Sequence, residues 1–275
     1  MEQTVQSIKQ WTESKEVRKA RKRKEKAEKL ATQVEKQPKP VIASDKRYVC
    51  CLKHGTKYTA DYVNRLKNMV DRNITIPYEF ICFTDNHTKI DPSIRVEPLP
   101  SLPTQGWWYK PYFLSADLPI DGTMLFLDLD VIVFRNIDEL FTYKPDKFCI
   151  IRDFNRHIRA DWDRMNSSVF RTTVGQYDRL WQDFKRNVSN HTSRNRGDQD
   201  WMYRGIRDHE FWPDEWIMSY KWEMREKKAL TMKNGKRNFV DIGKPRVQPS
   251  TKIAVFHGDP NPHICEDPWV IERWV

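Results

Sequence analysis

The sequence contains no long apolar run. None of its 275 residues lie in a stretch approaching the ~20 apolar residues that a membrane-spanning helix needs, and the N-terminus has no apolar signal core. Its 5 cysteines are an odd number without a C-x-x-C pair, which argues against a disulfide framework and against a zinc site of the usual spacing. We therefore expect a cytoplasmic protein whose thiols are reduced and mostly buried.

The sequence also has no excess of acidic residues, because it contains 48 Lys and Arg and only 38 Asp and Glu. The basic excess is concentrated in residues 1–46, where 13 basic residues face 7 acidic ones. We predict that 1–46 is a basic, helical or disordered arm and linker, and that 47–275 is one globular domain. The arm is either simply solvated or contacts an anionic membrane surface, which would make the protein peripheral to a membrane. Binding to nucleic acid is disfavoured, because the charge of 47–275 is nearly balanced.

Short apolar runs alternate with longer amphipathic ones from Arg47 onward. Strands are predicted at "RYVCCL", "YEFICFTD", "IRVEPL", "TMLFLDLDVIVF", "RMNSSVFRT" and "TKIAVF". The stretch "KYTADYVNRLKNMVDRN" predicts a helix, and "GWWYKPYFLSADL" predicts one beyond Pro111, since proline suits a first helical turn. This alternation favours an α/β fold with a mainly parallel central sheet flanked by helices. Ligands of such sheets lie beyond the carboxyl ends of the strands.

Two carboxylates interrupt the most apolar run, "MLFLDLDVIVF". In a continuous strand Asp128 and Asp130 would face the same side. Burying an isolated carboxylate costs several kcal/mol unless it is paired or bound to a metal. The pair therefore predicts a divalent cation site, to which His257, after the last predicted strand, can add an imidazole. The alternative is that one Asp caps the strand end and the other pairs with an arginine.

Four segments in order resemble nucleotide-sugar glycosyltransferases with the GT-A fold. "FLDLDVIVFRNIDELF" is similar to their DxD strand and the short helix after it. "RMNSSVF", "GDQDWMY" and "VFHGDPNPH" resemble segments of glycosyltransferase family 8, which contains glycogenin and bacterial lipopolysaccharide galactosyltransferases. The resemblance implies a GT-A, Rossmann-like fold and transfer of a hexose from a nucleotide sugar, UDP in particular, with retention of configuration. The acceptor stays open between a glycan, a lipid-linked sugar and a protein.

The same resemblance assigns roles to individual residues. Mn²⁺, or Mg²⁺, would be held by Asp128, Asp130 and His257. Residues on the donor side would be Lys110, Asp85, Asn166, Asp128, Gly258 and Asn261. Asp198 and Gln199 would lie beside the reacting carbon, and Asp200 is a third candidate for catalysis. An inverting mechanism would instead need a carboxylate base near the acceptor hydroxyl, for which Asp198 or Asp200 is available.

The sequence departs from the family pattern in the last segment. Asn261 stands where the family usually has a phosphate-binding lysine, and His263 stands where tryptophan is common. Contact with the diphosphate through this loop is therefore an open question. A haloacid-dehalogenase-type phosphatase is the main alternative, because it also uses a D-x-D strand, with one Asp as nucleophile and one as acid or base. Trp107 and Trp108 could stack on a sugar or belong to the core.

Overall fold

The computed structural model describes residues 44–157, 161–233 and 236–275, which belong to the compact unit Val41–Val275. The predicted arm over 1–46 lies outside the described residues except for its last three. Among the helices of the described part, none combines the length and the apolar character needed to cross a membrane.

A seven-stranded sheet forms the centre of the fold. In sequence order its strands are β1 (Arg47–Lys53), β2 (Glu79–Thr84), β3 (Arg95–Pro98), β4 (Thr123–Leu127), β6 (Cys149–Arg152), β7 (Met165–Thr173) and β8 (Glu210–Phe211). In space the order is β3-β2-β1-β4-β7-β6-β8. Strands β3, β2, β1 and β4 run parallel, β7 is antiparallel to both of its neighbours, and β8 is parallel to β6. The predicted mainly parallel sheet is confirmed.

Two smaller sheets complete the strand content of the described residues. One has the order β5-β12-β9, from β5 (Val131–Val133), β9 (Ile217–Ser219) and β12 (Ile253–Val255). In it β12 is antiparallel to β5 and parallel to β9. The other is a hairpin of β10 (Arg225–Lys233) and β11 (Lys236–Pro245). Strand β5 follows β4 after three residues, so the small sheet begins close to the carboxyl end of β4.

The apolar run around the two carboxylates is not one strand, as the sequence predicted. Strand β4 ends at Leu127 and β5 begins at Val131, and the two strands belong to different sheets. Asp128 and Asp130 lie in the turn between them. The expectation that both face one side of a continuous strand is therefore wrong. The chain leaves the central sheet here because the Asp130 carbonyl accepts a hydrogen bond from Phe256 N (2.9 Å), just beyond β12.

Two apolar layers cover the faces of the central sheet, because successive strand residues point to opposite sides. In β1, Val49 and Cys51 join one layer, whereas Tyr48 and Cys50 join the other. The first layer contains helix α1 (Ala60–Asn73), α2 (Glu139–Thr142) and α6 (Pro268–Arg273). The second contains α3 (Asp178–Arg186), α4 (Val188–Arg194) and α5 (Asp198–Gly205). All five cysteines are buried and unpaired, as expected.

The segment before β4 differs from its prediction. A 3₁₀ helix spans Gly106–Leu114 and contains Pro111 in its interior, whereas the sequence predicted a helix that begins at this proline. Every residue from Tyr109 to Leu114 is buried, so packing on all sides, and not one apolar stripe, holds this segment. A consequence is that Lys110 is enclosed in the protein.

Candidate active site

The polar residues predicted from the sequence gather where strands end. Asp85 follows β2, Asp128 follows β4, and His257 lies two residues beyond β12. Pairing of β5 with β12 brings the turn that holds Asp130 beside Phe256 and therefore beside His257. Tertiary structure thus joins residues that are more than a hundred positions apart in the sequence, at the edge where ligands of α/β sheets bind.

Lys110 is buried against Asp128. Its Nζ lies 2.7 Å from Asp128 Oδ1 and 2.8 Å from Oδ2, and it also donates to the Ser167 carbonyl at 3.2 Å. The side chains are 6% and 23% exposed, so water screens this pair only weakly. Burial lowers the pKa of Lys110, but the carboxylates of Asp128 and Asp198 outweigh burial, and the net pKa is raised. Lys110 therefore remains charged and acts as the counter-ion of Asp128.

Asp130 is held by a tyrosine in the turn after β1. Tyr58 Oη donates a hydrogen bond to Asp130 Oδ2 at 2.7 Å. Burial and the neighbouring Asp128 raise the pKa of Asp130 to about 6. An acid whose charged form is disfavoured by its surroundings gains most from a bound cation.

His257 has the properties of a neutral imidazole. Its ring stacks on Phe154 with centroids 5.2 Å apart, and its Nε2 lies 2.6 Å from Ser219 Oγ. Burial and the charge of Lys221 lower the pKa of His257 to about 4, so the ring is uncharged at neutral pH. Because Nε2 is engaged by Ser219, Nδ1 is the nitrogen available to another ligand.

The predicted metal ligands match Mn²⁺ in kind, because two carboxylates and a neutral imidazole are donors that this ion accepts. Each of them nevertheless has a protein partner of its own: Lys110 for Asp128, Tyr58 for Asp130 and Ser219 for His257. Across residues 44–157, 161–233 and 236–275, no three His, Cys, Asp or Glu side chains are gathered closely enough to hold a metal ion. Metal binding at these residues stays a prediction.

The residues predicted for catalysis line a cavity of about 270 Å³. Its lining is rich in carboxylate, amide and indole groups and consists of Trp107, Asp153, Asn155, Trp162, Arg196, Gly197, Asp198, Gln199 and Asp200. Asp198 is 5% exposed, and its Oδ2 has no hydrogen-bond partner in the protein. Burial raises the pKa of Asp198 although Lys110 opposes the shift. A buried acceptor without a partner costs free energy that a ligand donor can recover.

Two further cavity residues form a fixed pair. Gln199 Nε2 donates to Asp153 Oδ2 at 2.9 Å, and Asp153 Oδ1 accepts hydrogen bonds from both nitrogens of Asn155. Trp107 stands at this cavity with 56% of its surface exposed. Its neighbour Trp108 is instead stacked on Phe184 in the core, with ring centroids 6.0 Å apart. Carboxylate, amide and exposed indole together suit the hydroxyls and the apolar faces of a sugar.

The remaining predicted donor residues are held by their local backbone. Asp85 accepts from Gly55 N at 3.0 Å, which orders the exit of β1. Asn166, at the start of β7, accepts from Ser168 N through Oδ1. Gly258 has φ +84, a left-handed conformation that favours glycine. Asn261 precedes the short 3₁₀ helix Pro262–Ile264 and accepts from Ile264 N through its carbonyl.

Sequence reasoning missed several residues of this site. Tyr58, Asp153 and Ser219 contact predicted site residues, yet each is 38 to 72 positions from its partner in the hydrogen-bonded pair. No spacing rule links residues so far apart. The one indication available was position, because Ser219 ends β9 and Tyr58 lies in the connection between β1 and α1.

No protein-family model matches the sequence, and no curated protein matches it significantly. Solved structures do match. An active-site mutant of LgtC is 12% identical with a TM-score of 0.55, over 82% of this chain and 93% of LgtC. The galactosyltransferase LgtC in complex with donor and acceptor sugar analogs is 12% identical with a TM-score of 0.53, over 82% of this chain and 93% of LgtC. The apo form of the glycosyltransferase GlyE from Streptococcus pneumoniae TIGR4 is 11% identical with a TM-score of 0.56, over 83% of this chain and 59% of GlyE. On this structural likeness, the chain has the GT-A fold found in nucleotide-sugar glycosyltransferases.

Proposed function

We propose that this protein is a glycosyltransferase that moves a hexose from a nucleotide sugar, UDP in particular, to a hydroxyl of a glycan. The observation that carries the proposal is the cavity in which the unpaired Asp198 Oδ2 lies near the buried Lys110–Asp128 pair. The GT-A fold supports it, and one similar structure, LgtC, holds donor and acceptor sugar analogs.

In the proposed reaction the bond from the anomeric carbon to the diphosphate oxygen breaks, and its electron pair leaves with the diphosphate. The acceptor hydroxyl oxygen forms the new bond to the anomeric carbon, on the same face, so that configuration is retained. The acceptor proton passes to the departing diphosphate oxygen. Asp198 stabilises the positive charge that develops at the anomeric carbon, and Gln199, fixed by Asp153, positions the sugar hydroxyls.

A divalent cation, Mn²⁺ or Mg²⁺, is part of the proposal. Asp128, Asp130 and His257 would hold it, and when bound it would act as a Lewis acid toward the diphosphate. Lys110 lies 2.7 Å from Asp128 and would share this carboxylate with the cation.

The test is a panel of nucleotide sugars incubated with the protein and Mn²⁺, with donor hydrolysis as the readout and proton NMR of the product as the check on its anomeric configuration. We expect one donor to be hydrolysed, and Asp198→Asn to lower its turnover by about 100-fold, typical of a lost transition-state contact. A matched control is Asp121→Asn, which removes an exposed carboxylate at the opposite edge of the sheet. Absence of turnover with every donor and acceptor would refute the proposal.

The phosphatase alternative fits less well. Its nucleophile would be the first Asp of the pair, Asp128. This assignment leaves His257 and the cavity lined by Asp198 and Gln199 without a role. Hydrolysis of a generic aryl phosphate at a rate that exceeds donor hydrolysis would favour the phosphatase.

A further inference from the structure

A lysine that the sequence analysis did not select lies beside the predicted metal ligands. Strands β9 and β12 are parallel neighbours, so their carboxyl ends lie side by side. Lys221 is two residues beyond β9, and His257 is two residues beyond β12. The contact between Ser219 Oγ and His257 Nε2 joins the two strand ends. Lys221 therefore belongs to the same corner of the site as His257 and Gly258.

The Lys221 ammonium lacks a matching negative charge. Among the described residues, no carboxylate lies within ion-pair distance of its Nζ, and its one hydrogen bond is a long one, 3.4 Å, to the Asp259 carbonyl. The side chain is partly buried, and this burial lowers the pKa of Lys221 while Asp259 opposes the shift. A partly desolvated charge without a counter-ion is unfavourable, and a bound anion removes the penalty.

Gly258 leaves space for this ammonium. A Cβ added to Gly258 would lie 3.1 Å from Lys221 Nζ, and the residue also has φ +84. The left-handed backbone conformation favours glycine here, and the absence of a side chain lets the Lys221 ammonium lie close to the Gly258 backbone. The Gly258 backbone and the Lys221 ammonium can then approach the same ligand.

Lys110, which also lies beside the predicted metal ligands, already has a counter-ion. Lys110 neutralises Asp128, and the loop after β12 carries the neutral Asn261 where the family resemblance would place a lysine. We propose that Lys221 is the residue that binds the diphosphate of the nucleotide-sugar donor, from the end of β9 and across the face of Gly258. This inference rests on the proposed function and adds to it the residue that stabilises the leaving group.

The test measures binding of UDP and of uridine by calorimetry, with and without Mn²⁺, because the two ligands differ only in the diphosphate. We expect Lys221→Met to weaken UDP binding about 10- to 100-fold, the range for a lost hydrogen bond to a charged group, and to leave uridine binding unchanged. Lys221→Arg should stay within about threefold of the wild type, because it keeps the charge.

The control is Lys46→Met, which removes an exposed lysine at the start of β1, at the opposite edge of the sheet. If the wild type hydrolyses a nucleotide sugar but Lys221→Met, folded by circular dichroism, binds UDP as tightly as the wild type, the Lys221 inference is wrong and the proposed function stands. Equal losses for UDP and uridine would also overturn it, because the effect would then be structural. If the wild type neither binds a nucleoside diphosphate nor hydrolyses a donor, the proposed function itself fails.

Discussion

Replacing Lys110 with methionine tests whether this lysine is the counter-ion of Asp128. The Lys110 side chain is 6% exposed, and that of Asp128 is 23% exposed. Removing one member of a buried pair typically costs 3–5 kcal/mol, and since Asp128 keeps some contact with water we expect about 3 kcal/mol. In the wild type, Lys110 Nζ lies 5.3 Å from the Phe126 ring centroid. Methionine retains an apolar stem of similar length beside this ring, so the loss of stability reports the removal of the charge.

The assay is urea unfolding at pH 7 in EDTA, which removes any bound metal from the comparison. The raised pKa of Lys110 means that its stabilising effect is fully present at neutral pH and is lost only as pH rises through that raised value. The double variant Lys110→Met with Asp128→Asn should recover at least about 1.5 kcal/mol, because no buried carboxylate is then left unpaired. The exposed pair of Lys46 and Asp121 is the control, and Lys46→Met should leave the unfolding midpoint unchanged. A loss below about 1 kcal/mol for Lys110→Met, or no recovery in the double variant, would refute the reasoning.

Three further perturbations follow from the structure. Asp130→Asn should abolish Mn²⁺-dependent transfer, and an unchanged turnover would remove the metal assignment. The same variant should raise the melting temperature of the metal-free protein at pH 7, because burial and Asp128 raise the pKa of this acid to about 6 and its charge destabilises the fold above that pH. This gain in melting temperature should vanish near pH 3. Arg171→Met should cost about 3–5 kcal/mol in urea unfolding, since this fully buried guanidinium donates to five backbone carbonyls between β4 and β6, and a loss under 1 kcal/mol would contradict that role. Trp107→Ala should leave the melting temperature unchanged, because the indole is 56% exposed, but should raise the KM for a sugar substrate about tenfold, with Trp107→Phe intermediate; equal KM values would exclude stacking.

Local pattern was sufficient for much of the fold. The short apolar runs at β1 and β2 predicted strands within two residues of their observed ends, and the apolar spacing of Tyr62, Leu66 and Met69 predicted α1. These predictions succeed because an apolar run marks a strand buried on both faces, the apolar spacing of a helix marks its one buried face, and both signals act over a few residues. The segment Gly106–Leu114 escaped prediction because it is buried all round and has no such period.

Some residues of the candidate site could be predicted from the sequence, and other features of the site could not. Asp128 and Asp130 were recognisable because charges inside an apolar run are costly, and Asp198 and Gln199 were recognisable through the family resemblance; the structure places the latter two at one cavity. The turn that separates β4 from β5 was not recognisable, since it arises from pairing of β5 with β12, more than a hundred residues away. Sheet partners at such distances leave no trace in a local pattern.

By itself, therefore, the sequence determined the alternation of strands and helices, the type of residue at each strand end and the charge that those residues carry. Tertiary structure alone decided which polar groups meet: Lys110 is joined to Asp128, Tyr58 to Asp130 and Ser219 to His257, while Lys221 forms no ion pair with any described residue. The physical reason is that the energy of a charge depends on its burial and its nearest neighbours, and both are set by strand order and not by sequence separation.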